Sequence, residues 1–366
     1  MISPEFWRGK RVLLTGHTGF KGAWASLLIS RLGAHVTGYS LPPETSPSLF
    51  TLTRGANAVQ ESHMADLLDQ RSLTDAMQNA APEIVIHMAA QSLVRRSYRN
   101  PVQTFAVNVM GTAHVLEAIR ATPQVKAAVI VTSDKVYDLA REASPRNESD
   151  PLGGHDPYSA SKAAAEILAQ SWRHSFFRES PGSYRPGIAT ARSGNVIGGG
   201  DWSQDRIVTD IVSALLTGQQ VELRYPESVR PWLHVLDTLT GYLTLAEHLY
   251  DIGTAFADAW NFGPLPGEEM RVRDLVELFA SEWGANCGWR LATEPQPPEA
   301  PQLRLDPSRA VSRLAWRPSL SQAAAVRETA AWYRAFLAKE GDATFLCHAA
   351  IERHLARLDQ FLPANV

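Results

Sequence analysis

The sequence predicts a doubly wound α/β fold, a parallel sheet covered by helices on both faces, joined to a smaller mixed C-terminal lobe. Three observations carry this expectation. Short apolar runs alternate with helix-period segments through the first half, the pattern of βαβ crossovers. Those runs are apolar throughout, as strands buried on both faces are. Beyond about Asn195 the alternation gives way to mixed segments broken by Pro and Gly, starting with the triplet Gly198, Gly199 and Gly200.

Residues 11–15 (RVLLT) open the sheet, a Gly-rich turn follows, and 23–32 carry apolar residues at helical spacing up to Gly33. Residues 34–39 read as a second strand, 73–79 as a helix, 84–88 as a strand and 101–121 as one long helix. Then come a buried strand over 127–132, a helix over 159–177 and a strand over 187–192. In the second part 207–216, 235–250 and 322–337 are helical, 221–224 and 259–262 are strands, and 294–301 (EPQPPEAP) is loop. The expected organisation is a nucleotide-binding domain over 1–195, to which roughly 233–263 return, a substrate lobe from 196–232 and 264–345, and a C-terminal tail helix over 346–366.

A chain of 366 residues has room for such a second lobe. Its net charge of −3 shows no basic excess, so nucleic acid is not an expected partner. The two cysteines, Cys287 and Cys347, are not a closely spaced pair, so neither a metal site nor a disulfide framework is expected. No charged segment leads into an apolar stretch at the start, and no apolar run is long enough to span a bilayer. The expectation is a cytoplasmic protein with no membrane partner.

Gly16, Gly19 and Gly22 lie between the first strand and the first helix. The first permits a tight turn, the second lets backbone approach a pyrophosphate, and the third lets the helix pack on the strand. The free amides at the helix N-terminus favour anions. This pattern marks a dinucleotide site, with Thr18, Phe20 and Lys21 among its contacts. The second strand ends in Ser40-Leu41, without the acidic residue that holds an adenine ribose and without an arginine for a 2′-phosphate; the balance favours NAD. Asp66 and Leu67 either border the adenine or cap the next helix.

Tyr158 and Lys162 stand four apart at the start of a helix and so share a face. An ammonium near a phenol favours phenolate and lowers a pKa ordinarily near about 10. A phenolate can take the proton of a sugar hydroxyl.

Together these residues resemble the extended short-chain dehydrogenase/reductase family, whose nucleotide-binding half is a Rossmann-type sheet. The resemblance spans nearly the whole chain. It rests on the glycine turn, on His87-Met88-Ala89-Ala90, on Asn108, on Ser133, on Tyr158 and Lys162, and on Arg192 to Gly198 (RSGNVIG). Within the family the chain is similar to the nucleotide-sugar 4,6-dehydratases, and in TGHTGFKGAW, TSDK, GNVIGGGDW and RPWLHVL to their CDP-sugar branch. The resemblance implies NAD as cofactor, bound also by Met88, Ala89, Ala90 and Asn108, and a homodimer built through the helices over 101–121 and 158–177.

It further implies oxidation of a sugar at C4 with Tyr158 as base, Ser133 on the C4 oxygen, Lys135 as base at C5 and Asp134 as acid at the C6 hydroxyl. Substrate contacts are expected at Ser92, Arg95, Asn195, Arg206, Arg230 and His234, and at Trp202 unless that ring belongs to the core. For Asp134 to act as an acid its pKa must rise, which a tight ion pair with Lys135 would prevent. The chain departs from the branch at Ser92 (usually proline), Val136 (usually cysteine), 141–150 and 298–301, segments expected to face substrate. A paralogue acting on another nucleotide sugar is one alternative. A 4-epimerase or dehydrogenase is another, and Asp134-Lys135 is the discriminator.

Overall fold

The computed structural model describes residues 2–138, 144–177, 185–284, 288–294 and 302–360. Strands β1 (Arg11–Thr15), β2 (His35–Ser40), β3 (Glu61–Met64), β4 (Ile84–His87), β5 (Ala127–Val131), β6 (Gly187–Ser193) and β7 (Ala259–Phe262) form one sheet. Its order is β7-β6-β5-β4-β1-β2-β3, and every pairing is parallel. The polar edge strand β3 (ESHM) is absent from the sequence reading, because an edge strand with little burial carries no apolar run.

The longer helices are α1 (Phe20–Arg31), α2 (Gln70–Ala80), α3 (Gly111–Arg120), α4 (Pro157–Phe176), α5 (Ile207–Thr217), α6 (Val235–Ile252), α7 (Val272–Trp283), α8 (Gln322–Leu337) and α9 (Ala343–Asp359). Side-chain alternation along the strands separates two cores. Val12, Leu14, Ile84, Ile86 and Val129 face α1 and α6, whereas Leu13, Val85, Ala128 and Ile130 face α2 and α3. The tail helix α9 closes the first of these layers. Glu352 accepts from Arg31 of α1 at 2.9 Å, and buried His354 bonds Thr240 of α6 at 2.7 Å. Beside the sheet, α5 and α7 pack with short paired strands, Val221–Leu223 with Trp289–Leu291 and Val229–Arg230 with Met270–Arg271, and α8 packs on α7.

The segment expected as one helix over 101–121 is helical throughout but not α-helical throughout. Pro101–Phe105 leads into a π-helical turn, Ala106–Met110, before α3 resumes. Asn108 sits in that turn and its side chain is fully engaged elsewhere, a common setting for a π-bulge. No described helix is long and apolar enough to cross a membrane. Residues 139–143, 295–301 and 361–366, and Cys287, lie outside the described residues.

A buried ion pair ties the sheet to α4. Arg192 on β6 donates to Glu166 at 2.8 Å, with both side chains almost without exposure. Glu166 also accepts from the hydroxyls of Thr132 and Thr190, and Arg192 donates to the Tyr137 hydroxyl at 2.9 Å. Burial alone would raise the Glu166 pKa, but Arg192 and the hydroxyls outweigh it and hold it below the ordinary value. Its stabilisation is therefore present above the unfolded-state pKa and lost as pH falls through the carboxylate range. Replacing Arg192 by Leu leaves a lone buried charge and is expected to cost about 3–5 kcal/mol. Arg192→Leu/Glu166→Gln should recover part of that loss in urea melts at neutral pH.

Candidate active site

The sheet order reverses between β4 and β1, and a cleft of about 1410 Å³ opens at the strands' C-terminal ends, bounded by the glycine turn on one side and the lobe on the other. Ligands bind at such reversal points. The volume exceeds a typical single-ligand pocket and suits two ligands side by side.

The glycine turn has the geometry a dinucleotide needs. Gly16 has φ +78°, and a Cβ there would lie 2.7 Å from the Ala89 amide. A Cβ on Gly22 would lie 1.9 Å from the Gly16 carbonyl. Gly19 is the N-cap of α1 and adds no side-chain cap, so the helix offers its first amides to the cleft. Thr18 closes this end by bonding Ser40 and the Leu41 carbonyl, each at 2.8 Å. Met88, Ala89 and Ala90 line the wall next to Phe20 and Lys21. Their loop is fixed from below by Thr15, which accepts from the amides of Met88 and Ala89 and bonds His87 at 2.7 Å.

Asp66 and Leu67 border the cleft. The helix cap is Asp69, while Asp66 accepts the Leu68 amide at 3.0 Å. Asn108, expected at the cofactor, does not line the cleft. Its amide donates to the Gln91 carbonyl and to Ser161 on α4, and its oxygen accepts the Gln91 amide at 2.9 Å. It ties the wall to α4 from behind, because it lies inside the π-turn rather than on the cleft face.

Asp156 caps α4 by accepting the Ser159 amide at 3.0 Å, and Pro157 takes the first helical position. The helix thus begins two residues earlier than expected, which puts Tyr158 in its first turn. Lys162 is buried behind Tyr158 and donates to the Val131 carbonyl at 3.1 Å. Burial lowers the Lys162 pKa to about 8 against the opposing charge of Glu166. The expected lowering of the Tyr158 pKa is not met in the protein alone. Burial raises it, with the Ser133 hydroxyl and Arg206 opposing.

Past the end of β5, Ser133 accepts the Lys135 amide at 3.2 Å and donates to Asp134 Oδ1 at 3.1 Å. Asp134 Oδ2 is buried and has no hydrogen-bond partner. Burial raises the Asp134 pKa, with the charge of Lys135 opposing, and among the described residues no ion pair joins the two. A Cβ on Gly194 would lie 2.8 Å from that free oxygen. Lys21 reaches toward the same group. Burial, Lys162 and Arg206 lower its pKa to about 7, opposed by Asp134.

Of the expected substrate contacts, Ser92, Arg95, Asn195, Trp202, Arg206 and Arg230 line the cleft. Arg206 reaches Ser92 at 3.4 Å, and Arg95 pairs with Asp205 at 2.9 Å. Trp202 also packs edge-on against Tyr333, ring centroids 5.3 Å apart. His234 does not reach the cleft. It is buried as the N-cap of α6, accepting the Leu236 amide at 3.3 Å, and burial lowers its pKa to about 4. Sequence reasoning missed Tyr137, Gly194, Asp210 and Arg224, which also line the cleft. Gly194 directly precedes Asn195 and was readable there, but the others look like ordinary strand and helix residues.

The sequence profile of the family described as GDP-mannose 4,6 dehydratase matches residues 13–329. The chain is 44% identical over 350 residues to a CDP-glucose 4,6-dehydratase of Salmonella typhimurium, covering 95% of this chain and 96% of that one. A structure of Thermus thermophilus UDP-glucose 4-epimerase in complex with NAD is 25% identical, with a TM-score of 0.74 over 88% of this chain and 99% of that one. A structure of dTDP-glucose 4,6-dehydratase from Streptomyces venezuelae with NAD bound shares the fold at 23% identity and a TM-score of 0.73, covering 88% of this chain and 97% of that one.

Gly22→Ala places a methyl group into the Gly16 carbonyl and should displace α1 from the turn. Equilibrium dialysis with labelled NAD is expected to show binding lost, and the melting temperature should fall.

Proposed function

The chain belongs to the GDP-mannose 4,6 dehydratase family and is an NAD-dependent nucleotide-sugar 4,6-dehydratase, and we propose that its substrate is CDP-D-glucose, converted to CDP-4-keto-6-deoxy-D-glucose. The observation that carries the reading is Asp134, a buried carboxyl with one unpartnered oxygen, next in sequence to Lys135 and on the same cleft wall as Tyr158. The identity to a CDP-glucose 4,6-dehydratase over 95% of the chain supports the choice of nucleotide and sugar.

The glycine turn, the α1 N-terminus, Asp66, Leu67 and the 88–90 wall would hold NAD, which would supply hydride acceptance from C4 and hydride return to C6. Tyr158 takes the proton of the C4 hydroxyl, and Ser133 holds the C4 oxygen. Lys162 supports Tyr158 from behind. The C4 carbonyl acidifies the C5–H bond, and Lys135 removes that proton. Asp134 gives its proton to the C6 oxygen as the C6–O bond breaks, so water leaves and a C5–C6 double bond remains. A proton delivered to C5 completes the product. Burial suits Asp134 to this task, since it keeps the carboxyl protonated above the ordinary carboxylate range.

The reading includes a homodimer. Val102, Phe105 and Met110, with Ile167 and Phe176 on α4, are large apolar residues left exposed on neighbouring helices, and burial against a second copy would cover them. It also includes the cytoplasm, which suits Cys347 as a buried free thiol.

Purified protein incubated with CDP-glucose in D₂O should release one water per turnover and incorporate one deuterium at C5. A product of unchanged mass would point instead to an epimerase. Tyr158→Phe, Asp134→Asn and Lys135→Met should each lower kcat by roughly 10²–10⁴-fold. Wild-type activity should fall on the alkaline side as Asp134 loses its proton, and Asp134→Asn should abolish that limb of the pH profile. Sedimentation should give a dimer, and Val102→Glu/Ile167→Glu a monomer.

A further inference from the structure

The cleft runs from Tyr158 and Asp134 at the sheet to a far wall made by α5 and the strand Val221–Leu223. Arg206 and Arg230 also line the cleft, and their guanidinium groups suit a pyrophosphate. The far wall carries Asp210 and Arg224. Asp210 lies four residues along α5 from Arg206 and so on the same helix face. Two other carboxylates at this end already have partners: Asp205 is held by Arg95 at 2.9 Å and Glu222 by Arg290 at 3.0 Å. The Asp210 carboxylate takes no hydrogen bond from the described residues, although the charge of Arg224 reaches it. An anionic acceptor and a cationic donor thus stand together where the nucleotide of an extended substrate would end.

We propose that Asp210 and Arg224 read the base of the substrate and select cytosine. This rests on the dehydratase reading for the orientation of the substrate in the cleft. The Watson–Crick edge of cytosine presents an amino donor at C4, then bare acceptors at N3 and O2. The carboxylate accepts from the amino group and the guanidinium donates to the acceptors. Uracil and thymine reverse both contacts. Their O4 puts lone pairs against the carboxylate, and their N3–H faces the guanidinium. A site built for one hydrogen-bond pattern rejects the reversed pattern, because the Asp210 carboxylate then meets lone pairs in place of a donor. Guanine offers donors to the carboxylate but on a longer fused ring, which makes GDP-glucose an informative competitor.

The test compares kcat and KM for CDP-, UDP-, dTDP- and GDP-glucose in wild type, Asp210→Asn and Arg224→Leu. Wild type should prefer CDP-glucose. Asp210→Asn should raise KM for CDP-glucose about 10–100-fold with little change in kcat, because the change is remote from C4, C5 and C6. The same variant should improve relative to wild type on UDP-glucose, since an asparagine amide can donate to O4. Arg224→Leu should raise KM for CDP-glucose likewise. NAD binding and melting temperature serve as controls and should stay at wild-type values. If wild type dehydrates UDP-, dTDP- or GDP-glucose as well as CDP-glucose, the cytosine assignment falls together with the proposed substrate. If wild type prefers CDP-glucose and both variants keep that preference undiminished, the base-reading role of Asp210 and Arg224 is overturned while the dehydratase reading stands.

Discussion

Glu166 sits where the two halves of the active site must be held in register. On α4 it lies one turn beyond Lys162, which lies one turn beyond Tyr158, so the three form a stripe along one helix face. On the sheet it accepts from Thr132, the residue before Ser133, and from Thr190 and Arg192 on β6. One carboxylate therefore sets the spacing between the helix that carries the phenol and the strand end that carries Ser133, Asp134 and Lys135. A buried charge needs such a set of partners, since each unmet hydrogen bond costs the full desolvation of the group. Because Arg192 neutralises it, Glu166 can stand near Lys162 without holding that lysine at its ordinary pKa.

The same closed environment accounts for the electrostatics of the cleft. Lys21, Lys162 and Asp134 are all withdrawn from water, and burial pushes each toward its neutral form. A tight salt bridge between Asp134 and Lys135 would act the other way and leave no proton for a leaving hydroxyl. Ser133 donates to Oδ1, Oδ2 is buried without a hydrogen-bond partner, and among the described residues no ion pair joins Asp134 to Lys135. Glycine at 194 has a steric reason, since a Cβ there would lie 2.8 Å from that oxygen.

The sheet was legible in the sequence because burial on both faces writes an unbroken apolar run, and β1, β4 and β5 are such runs. The polar edge strand β3 was not, for the same reason inverted. The π-turn at Ala106–Met110 was hidden because its residues have ordinary helical character, and the turn follows from where Asn108 must bond. Glycine spacing and the Tyr-x-x-x-Lys pair located the cleft, since both encode local geometry that survives in one dimension. Asn108 and His234 show the limit of that approach. A polar residue that belongs to a functional motif can be engaged within the protein, as a strut or a cap, and stand off the cleft wall.

Specificity is less legible still, because it depends on two residues from different elements meeting across a cleft. Asp210 in a helix and Arg224 after a strand have no pattern that marks them, and either alone reads as a solvated surface charge. Their significance comes from what the fold does to their neighbours: Asp205 and Glu222 are paired within the protein, whereas the Asp210 carboxylate takes no hydrogen bond from the described residues. The reaction end requires groups fixed by the sheet, and the sheet is common to dehydratases and epimerases of this fold. The base end is built on the lobe, and the proposed reading gives Asp210 and Arg224 no part in the hydride or proton transfers. On that reading a change of nucleotide there leaves Tyr158, Asp134 and Lys135 in place, so the choice of substrate is separable from the chemistry.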